Sequence, residues 1–565
     1  MEVRDPIFGA IPVSRAEEPL IDHPALIRLR SIKQMGFSEW SFPGAAHSRL
    51  LHSVGVMHLA GQAFDLAFRD HPLPEPRRAE LRQCVRLAAL LHDLGHAPFS
   101  HCTEFAMPSL RALGLAAMPP EVLKARGDRR ASHEDYTIGL LTQSSLTPLI
   151  SRGFPFTAAH VAALIARELP APDDFFIIDG LDHRRVLSQI ISSELDVDRM
   201  DYLVRDSYFS GAKYGQIDVP WLLNNLSVYV ENDTVSLALD RRALYAFDDF
   251  LVARYHMFVM VYFHHKSIVF EEMLRRYFNG PGNTYSLPAD MDEYVQIDDI
   301  HLIAHLRQAA DPWAQAVSQR RPYERLVELH GTEEEVDLTW AEATLREAGI
   351  DTIAASSVGK LSRYAAVGQK RESAPPIFVL NRTPGPHPAA MPITQATEVF
   401  ERYKRERRIA RLYVAPEALE PGEAAPQRQA AVEWAFVWVR RQVLPRDISP
   451  LRRSAAAGYV GPSLWSPCVI HRRLAAHHPR RRRQRLSRHR AARRGPRRRA
   501  TARAITPKAT APTTSPTPAS TSRPGTPPIG TSTRSLMRSS PPWASRRGRR
   551  SSISARARAI CCRPW

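Results

Sequence analysis

The stretch RLAALLHDLGHAPFSH, from Arg86 to His101, decides the fold of this chain. Its leucines recur at spacings of three and four residues, which predicts an apolar helix. The doublet His92-Asp93 stands in the middle of that helix, before Gly95 and Pro98 end it. A buried imidazole and carboxylate need a partner, and a divalent metal ion is one that both groups bind. The alternative, for this stretch alone, is a helix end with ordinary surface histidines.

Two further stretches supply what a metal site still needs. HSRLLHSVGVMHLAG, residues 47–61, places Arg49 and His52 at the start of an apolar helix. SELDVDRMDYLVRDS, residues 193–207, repeats polar residues at helical spacing on roughly one face: Asp198, Tyr202, Arg205 and Asp206. A metal would then have two nitrogen and two carboxylate ligands, with room for water and a substrate oxygen: His52, His92, Asp93 and Asp198.

The order of these motifs resembles that of the HD superfamily of metal-dependent phosphohydrolases. Within that superfamily, the chain is most similar to the deoxynucleoside triphosphate triphosphohydrolases. HD alone is a weak two-letter motif, whereas HSRLLHS, HDLGHAPFSH and DVDRMDYLVRD in this order are specific together. The resemblance implies a mostly α-helical, HD-type bundle that holds a divalent metal ion, with Mg, Mn, Fe, Zn and Ni not distinguishable.

The resemblance also implies roles for residues outside the metal set. The catalytic candidates match family positions near the phosphates, with His96 as the acid–base residue and two residues in support: His133 and Glu104. Glu104 stands where relatives often have Asp. Three cations are candidates for neutralising phosphate charge: Arg49, Arg199 and Lys266. Four residues are candidates for the nucleoside: Gln34, Tyr202, Asp206 and Tyr262.

The basic charge of the chain is concentrated in its last hundred residues. The whole sequence has a net charge of +19, but residues 471–565 contain 26 basic and no acidic residues. Residues 1–470 therefore hold 51 basic and 58 acidic residues, a net charge of −7. A high isoelectric point thus gives no argument for nucleic-acid binding by the folded part.

The C-terminal tail, residues 461–565, is rich in Arg, Pro, Ser and Thr and lacks apolar periodicity, which predicts disorder. An Arg-rich tail can bind nucleic acid, and any nucleic-acid binding is expected only there. Its composition, with one lysine among 26 basic residues, is more typical of a GC-rich coding sequence translated out of frame.

Cysteines and apolar runs indicate a cytoplasmic protein. Cys84 and Cys102 are the only cysteines before Cys468, so no disulfide framework is predicted. The N-terminus lacks the apolar core of a signal peptide, and no apolar run approaches the ~18 residues of a membrane span. We therefore expect no membrane partner. A homo-oligomer and an activating nucleotide are left open.

The pattern along the chain predicts three parts: an HD domain over 1–280, an α+β region over 281–445, and the tail over 461–565. Helices are expected over residues 24–36, 183–205 and 243–276, and from 298 to 309. LSVYVENDTVSLAL alternates around Asn232-Asp233, which predicts a hairpin. PIFVLN and ARLYVAPE predict strands of the α+β region.

The expected reaction is metal-dependent hydrolysis of a deoxynucleoside triphosphate to nucleoside and inorganic triphosphate. One alternative is an HD-type phosphodiesterase or phosphomonoesterase acting on another nucleotide. The other is a nucleic-acid-binding protein that acts through its basic tail. The sequence has no GxxxxGK[ST] loop, which argues against a P-loop nucleotidase.

Overall fold

The computed structural model of the protein describes residues 1–331, 336–359, 375–381, 389–402, 407–419 and 430–434. All of them lie in one unit, Met1–Tyr459. The predicted tail from residue 461 lies outside the described residues.

Helices make up most of the described chain. The first group, up to the end of the third sequence motif, is α1 Glu18–Ile21, α2 Pro24–Ile27, α3 Arg49–Ala67, α4 Glu75–Leu91, α5 Pro120–Arg126, α6 His133–Gln143, α7 Leu146–Gly153, α8 Ala158–Ile165, α9 Arg184–Ile191 and α10 Val197–Ser210. The second group is α11 Val219–Asn224, α12 Leu244–Met257, α13 His265–Asn279, α14 Met291–Tyr294, α15 Asp299–Gln308, α16 Pro312–Ser318, α17 Thr339–Glu347, α18 Ile393–Ala396 and α19 Val399–Arg402.

The strands form small sheets, and most of the strands follow α10 in the chain. They are β1 Glu2–Asp5, β2 Gly9–Pro12, β3 Ile177–Ile178, β4 Leu181–Asp182, β5 Leu226–Glu231, β6 Thr234–Asp240, β7 Glu324–Gly331, β8 Thr352–Gly359, β9 Phe378–Asn381, β10 Ala389–Pro392 and β11 Arg407–Val414. β1 and β2 pair as an antiparallel hairpin. A second sheet has the order β10-β9-β6-β4-β3, with β5 also paired to β6. In the third sheet, β11 lies between β7 and β8 and is antiparallel to both.

The centre of the bundle is α3, which packs against α4 and α10. Fourteen of the nineteen residues of α3 are buried, so this helix is surrounded by protein on nearly every side. α4 buries only its C-terminal half, from Leu81 to Leu91, because its first turns are rich in charged residues. The three sequence motifs therefore meet where α3 begins, α4 ends and α10 begins.

The predicted fold class, mostly α-helical with a smaller α+β region, is confirmed. The predicted hairpin is β5–β6, with Asn232 and Asp233 at φ 48° and 59° in its two-residue turn. The strands predicted at PIFVLN and ARLYVAPE are β9 and β11, and the helix expected from 298 to 309 is α15. Among the described residues, no helix has the length and apolar character needed to cross a membrane.

Three expected helices are shorter than predicted. α4 stops at Leu91, so His92-Asp93 follows the helix rather than lying inside it. The helix expected over 183–205 divides into α9 and α10, because the Asp196 carboxylate accepts the backbone N–H groups of Ser193 and Arg199. The long helix after residue 244 is interrupted by a π turn at Phe258–Tyr262, and His264 caps α13.

The expected helix over 24–36 also ends early. A 3₁₀ turn, Arg28–Ser31, follows α2, and then the backbone extends so that Lys33 bridges to Ser48. The backbone N–H of Gln34 donates to the carbonyl of His47 at 3.1 Å. This pairing fixes the segment of Gln34 beside the loop that leads into α3.

A glycine substitution tests the close packing behind the HDLGH motif. A Cβ on Gly95 would lie 2.0 Å from the carbonyl oxygen of His133 and 2.4 Å from the backbone nitrogen of Thr137. We expect Gly95→Ala to lower the free energy of unfolding by about 2 kcal/mol or more, because neither backbone atom can yield easily. Gly153→Ala is the matched control, since a Cβ on Gly153 meets nothing within 4 Å. Chemical denaturation measures both, and equal stabilities of the two variants would contradict the described packing.

Candidate metal centre

The four predicted ligands come from three packed elements. His52 lies in the first turn of α3, Asp198 lies in the first turn of α10, and His92-Asp93 follows the last residue of α4. Because α3 packs against both other helices, these ends converge on one point. The site is therefore held by the centre of the bundle rather than by a flexible loop.

The ligand atoms lie within a few ångströms of one another. Nε2 of His52 is 3.1 Å from Asp198 Oδ1 and 3.5 Å from Asp93 Oδ2. Nε2 of His92 is 3.3 Å from Asp93 Oδ1 and 3.6 Å from Asp198 Oδ1. Two nitrogens thus face two carboxylates.

The outer nitrogen of each imidazole has a partner that fixes the ring. Nδ1 of His52 lies 2.7 Å from Asp201 Oδ2, and Nδ1 of His92 lies 2.8 Å from the carbonyl oxygen of Ala89. Both partners are acceptors, so each ring carries its proton on Nδ1 and turns Nε2 inward when neutral. Carboxylates and carbonyls hold metal-binding histidines in this way.

The inner nitrogens show that a cation fits. Within the described residues, Nε2 of His52 and Nε2 of His92 are buried and make no hydrogen bond. His52, His92 and Asp198 offer ligand atoms that all lie within 4.8 Å of one another, and Asp93 faces the same space. This group can hold a divalent metal ion, and its mixed nitrogen and oxygen ligands suit several such metals.

Charge at the centre supports the same conclusion. Burial disfavours the charged form of His52, but the carboxylates of Asp198 and Asp201 outweigh burial and raise the pKa of His52 to about 10. Burial opposes ionisation of Asp198 too, yet His52 and His92 hold its pKa well below the usual range. A metal ion would take the place of the proton that balances these carboxylates.

A second group lies beside the first, on the segment that follows α4, on the 3₁₀ turn Ser100–Ala106 and at the start of α6. The rings of His96 and His133 stack at 4.0 Å between centroids. Nδ1 of His133 contacts the carboxylate of Glu104, which also lies 3.0 Å from Nδ1 of His101. Nε2 of His96 is 3.4 Å from Asp93 Oδ1. The three predicted catalytic residues therefore lie together and adjoin the metal ligands.

The two stacked histidines have opposite tendencies to hold a proton. Burial, with the charges of Arg49 and His133, keeps the pKa of His96 well below its usual range. Burial also opposes the charged form of His133, but Glu104 outweighs it and raises the pKa of His133. Neighbouring groups with divergent pKa values can divide the roles of acid and base. His101 was not predicted, although it lies in the same sequence motif as His96.

Arg49 is buried and contacts the cluster of predicted metal ligands. One nitrogen of its guanidinium contacts Asp93, and Nε donates to Ser100 Oγ at 2.7 Å. Phe99 and Ser100 have φ of 56° and 59°, a left-handed conformation that is costly for residues other than glycine. The strained turn thus holds the hydroxyl that orients Arg49.

The other two predicted phosphate-binding cations differ in environment. Arg199 is buried, and its Nη1 donates to Asp196 Oδ2 at 3.0 Å, on the first turn of α10 beside Asp198. Lys266 lies exposed on the first turn of α13 next to His264. The described contacts join Arg199 to the helix of the site, whereas they do not join Lys266 to the ligand cluster.

The predicted nucleoside-binding residues gather two turns further along α10. The hydroxyl of Tyr262 donates to Asp206 Oδ2 at 2.6 Å, and the rings of Tyr202 and Tyr262 meet edge to face at 6.4 Å. The side-chain oxygen of Gln34 is buried and has no hydrogen-bond partner among the described residues. His47, which is not among the predicted site residues, lies 2.7 Å from Asp206.

The groups that hold the His52 ring in place were also not predicted from the sequence. Arg205 was predicted on the face of Asp198, but its guanidinium is fully buried and makes two hydrogen bonds of 2.8 Å to Asp201. It donates a third, of 2.7 Å, to Asp5 in β1. The spacing of Asp201 and Arg205, four residues apart, is the one signal that points to this pair.

The comparisons with known proteins match the part of the chain that contains the three sequence motifs. Residues 49–206 match the model of the HD domain, and residues 217–358 match that of the HD associated region. An uncharacterized protein of Methanocaldococcus jannaschii is 27% identical over 325 residues, which are 58% of this chain and 59% of that protein. The deoxynucleoside triphosphate triphosphohydrolase SAMHD1 homolog of Dictyostelium discoideum is 34% identical over 213 residues, 37% of this chain and 36% of the relative. The chain thus matches little more than half of one relative and about a third of the other.

Solved structures show the same fold. The crystal structure of a hypothetical protein from Aquifex aeolicus superposes with a TM-score of 0.56 at 23% identity. It covers 76% of this chain and 99% of the other. At this identity, the likeness concerns the fold alone.

Removing a ligand tests the metal centre. We expect Asp198→Ala and His92→Ala to lose the bound metal, because each removes one of four ligands at a site without a spare. His58→Ala is the matched control, since His58 lies on α3 but bonds only to Gln62 in the described contacts. Elemental analysis of the purified chains measures the metal, and full occupancy in the Asp198 variant would overturn the ligand assignment.

Metal affinity should rise with pH. Because the pKa of His52 is raised to about 10, the ring is charged at pH 7 and carries a second proton, on Nε2. A metal ion must displace that proton, so binding releases about one proton and tightens by up to about tenfold per pH unit. Titration calorimetry with Mn²⁺ between pH 6 and 8, in buffers of different ionisation enthalpy, measures both effects. An affinity that stays constant over this range would contradict the proton assignment.

Proposed function

This chain belongs to the HD-domain superfamily, and on that basis we propose that it is a metal-dependent phosphohydrolase of deoxynucleoside triphosphates. The products are the nucleoside and inorganic triphosphate. Relatives named deoxynucleoside triphosphate triphosphohydrolase SAMHD1, from Dictyostelium discoideum and Homo sapiens, support this choice of substrate class.

The observation that carries the proposal is the arrangement of two different groups along one helix. Asp198, in the metal cluster, and Asp206, in the polar and aromatic group, are eight residues apart on α10. That spacing corresponds to about 12 Å along the helix axis. A ligand that meets both groups has an anionic end and a sugar-like or aromatic end, as a nucleotide does, whereas orthophosphate is too small.

Each group suits one part of such a substrate. When bound, the metal ion supplies Lewis acidity and positive charge at the phosphoryl group. Arg49 and Arg199 provide fixed guanidinium groups, which pair well with phosphate oxygens, and Lys266 is the third proposed cation. Tyr202 and Tyr262 provide aromatic surface, and Gln34 and Asp206 provide hydrogen-bonding groups for the sugar or base.

The second histidine group supports proton transfer at the bond that breaks. Water attacks the α-phosphorus, the bond from phosphorus to the 5′ oxygen breaks, and that oxygen needs a proton to leave as the nucleoside hydroxyl. His96 is the proposed acid–base residue, next to Asp93 and stacked on His133. His133, whose charged form is favoured by Glu104, is the proposed proton donor to His96.

Product analysis tests the proposal. We expect a deoxynucleoside triphosphate with Mn²⁺ to give nucleoside and triphosphate in equal amounts, without nucleoside mono- or diphosphate. In ¹⁸O-labelled water, the label should appear in triphosphate and not in the nucleoside, because water attacks phosphorus. Anion-exchange chromatography and mass spectrometry measure both. Stepwise release of phosphate, or turnover of cyclic nucleotides alone, would instead favour a phosphomonoesterase or phosphodiesterase.

The control for this test separates proton transfer from metal binding. His96→Ala should keep its metal and lose at least about a hundredfold in kcat, within the range of lost acid–base catalysis. A His96 variant that has lost the metal would assign His96 to the ligand set instead.

A further inference from the structure

The imidazole of His47 is a buried side chain that the catalytic scheme does not use. His47 lies two residues before Arg49, in the loop that leads into α3. Its side chain is fully buried, and Nε2 lies 2.7 Å from Asp206 Oδ1. The other carboxylate oxygen, Oδ2, accepts the hydroxyl of Tyr262 at 2.6 Å. Asp206 is thus held between a histidine from one side of the bundle and a tyrosine from the other.

The proton positions in this group follow from its chemistry. An ionised carboxylate only accepts hydrogen bonds, so Nε2 of His47 and the hydroxyl of Tyr262 must both donate. Burial, with the charge of Asp206, raises the pKa of the Tyr262 phenol well above its usual value, so the hydroxyl keeps its proton. Two fixed donors set the plane of the Asp206 carboxylate and, through it, the position of the Tyr262 ring.

The backbone and ring of His47 make two more contacts that hold it. Its carbonyl accepts the N–H of Gln34 at 3.1 Å, and its ring stacks on Phe209 at 4.5 Å between centroids. The chain approaches Phe209 closely here, since a Cβ on Gly44 would lie 2.4 Å from the Phe209 carbonyl oxygen. His47 therefore contacts Gln34 and Asp206 directly and reaches Tyr262 through Asp206.

We propose that His47 is the positioning residue of the nucleoside end of the site. It acts through Asp206 and Tyr262, without touching the reacting phosphate, and it fixes Gln34 through its own backbone. The inference rests on the proposed function, because it assigns to His47 the geometry with which the sugar and base are held. On this proposal, binding of the nucleoside part depends on the hydrogen bond from His47 to Asp206, whereas the chemical step does not.

Two substitutions isolate that hydrogen bond. H47F keeps an aromatic ring to stack on Phe209 and removes the donor to Asp206. H47Q keeps an N–H donor at nearly the position of Nε2, so it is the conservative variant that should restore function. Each is assayed as the full, metal-loaded chain on a deoxynucleoside triphosphate and on bis(4-nitrophenyl) phosphate, which has no sugar or base.

The expected result is a separation of KM from kcat. H47F should raise KM for the deoxynucleotide at least tenfold with kcat within threefold of wild type, and leave the sugar-free diester and the metal content unchanged. H47Q should stay within threefold of wild type on both substrates. Equal loss on both substrates would assign His47 a merely structural role, and an unchanged KM in H47F would refute the inference directly.

The wild-type chain distinguishes failure of the inference from failure of the proposed function. Wild-type turnover of deoxynucleotides together with an unaffected H47F overturns the role of His47 alone. A wild-type chain that cleaves the diester and no deoxynucleotide overturns the proposed function, and the inference with it.

Discussion

The structure around the site depends on keeping the carboxylate of Asp93 ionised inside the protein. A buried charge is costly, and it persists only where opposite charges and hydrogen-bond donors surround it. Burial favours the neutral form of Asp93, but His92, Arg49 and His96 hold its pKa well below the usual range. These partners come from the start of α3 and from the turn after α4. The two elements must therefore meet at one point, and the apolar packing of α3 against α4 makes them do so.

A series of buried charged groups, each needing an opposite charge, also runs from His52 to the N-terminal strand. Asp201 orients the His52 ring, Arg205 balances Asp201, and Asp5 in β1 takes the remaining donor of Arg205. All of these groups are buried, so each needs the next. Gly55 leaves room for this group of side chains: a Cβ there would lie 2.0 Å from Asp201 Oδ1. The hairpin β1–β2 is thereby tied to the ligand geometry, although it lies outside the matched HD domain.

The sequence grouped residues that stand in a recognised order of motifs, but it contains no signal for contacts outside that order. The order of imidazole and carboxylate groups linked His52, His92 and Asp198, and their side chains lie together in the structure. The contact of His47 with Asp206 was not predicted, because no pattern in the sequence pairs these two residues. Helix ends were predicted least well for a related reason. Apolar periodicity continues through residues 183–205, whereas the break is made by side-chain capping at Asp196, which periodicity does not reveal.

Four buried polar atoms that lack hydrogen-bond partners in the described residues lie at the two ends of the proposed site. Two are at the metal end, Nε2 of His52 and Nε2 of His92, and two are at the other end, Oε1 of Gln34 and Nδ1 of His47. Leaving such an atom unpaired costs about 1–3 kcal/mol, so a fold keeps several together only where something else satisfies them. The first pair are lone-pair donors to a cation. Oε1 of Gln34 is an acceptor, and Nδ1 of His47 is an acceptor in the neutral ring whose Nε2–H donates to Asp206. A ligand that satisfies both ends thus brings a metal-bound anion to one and N–H or O–H donors to the other, which matches a nucleotide better than any simple phosphate.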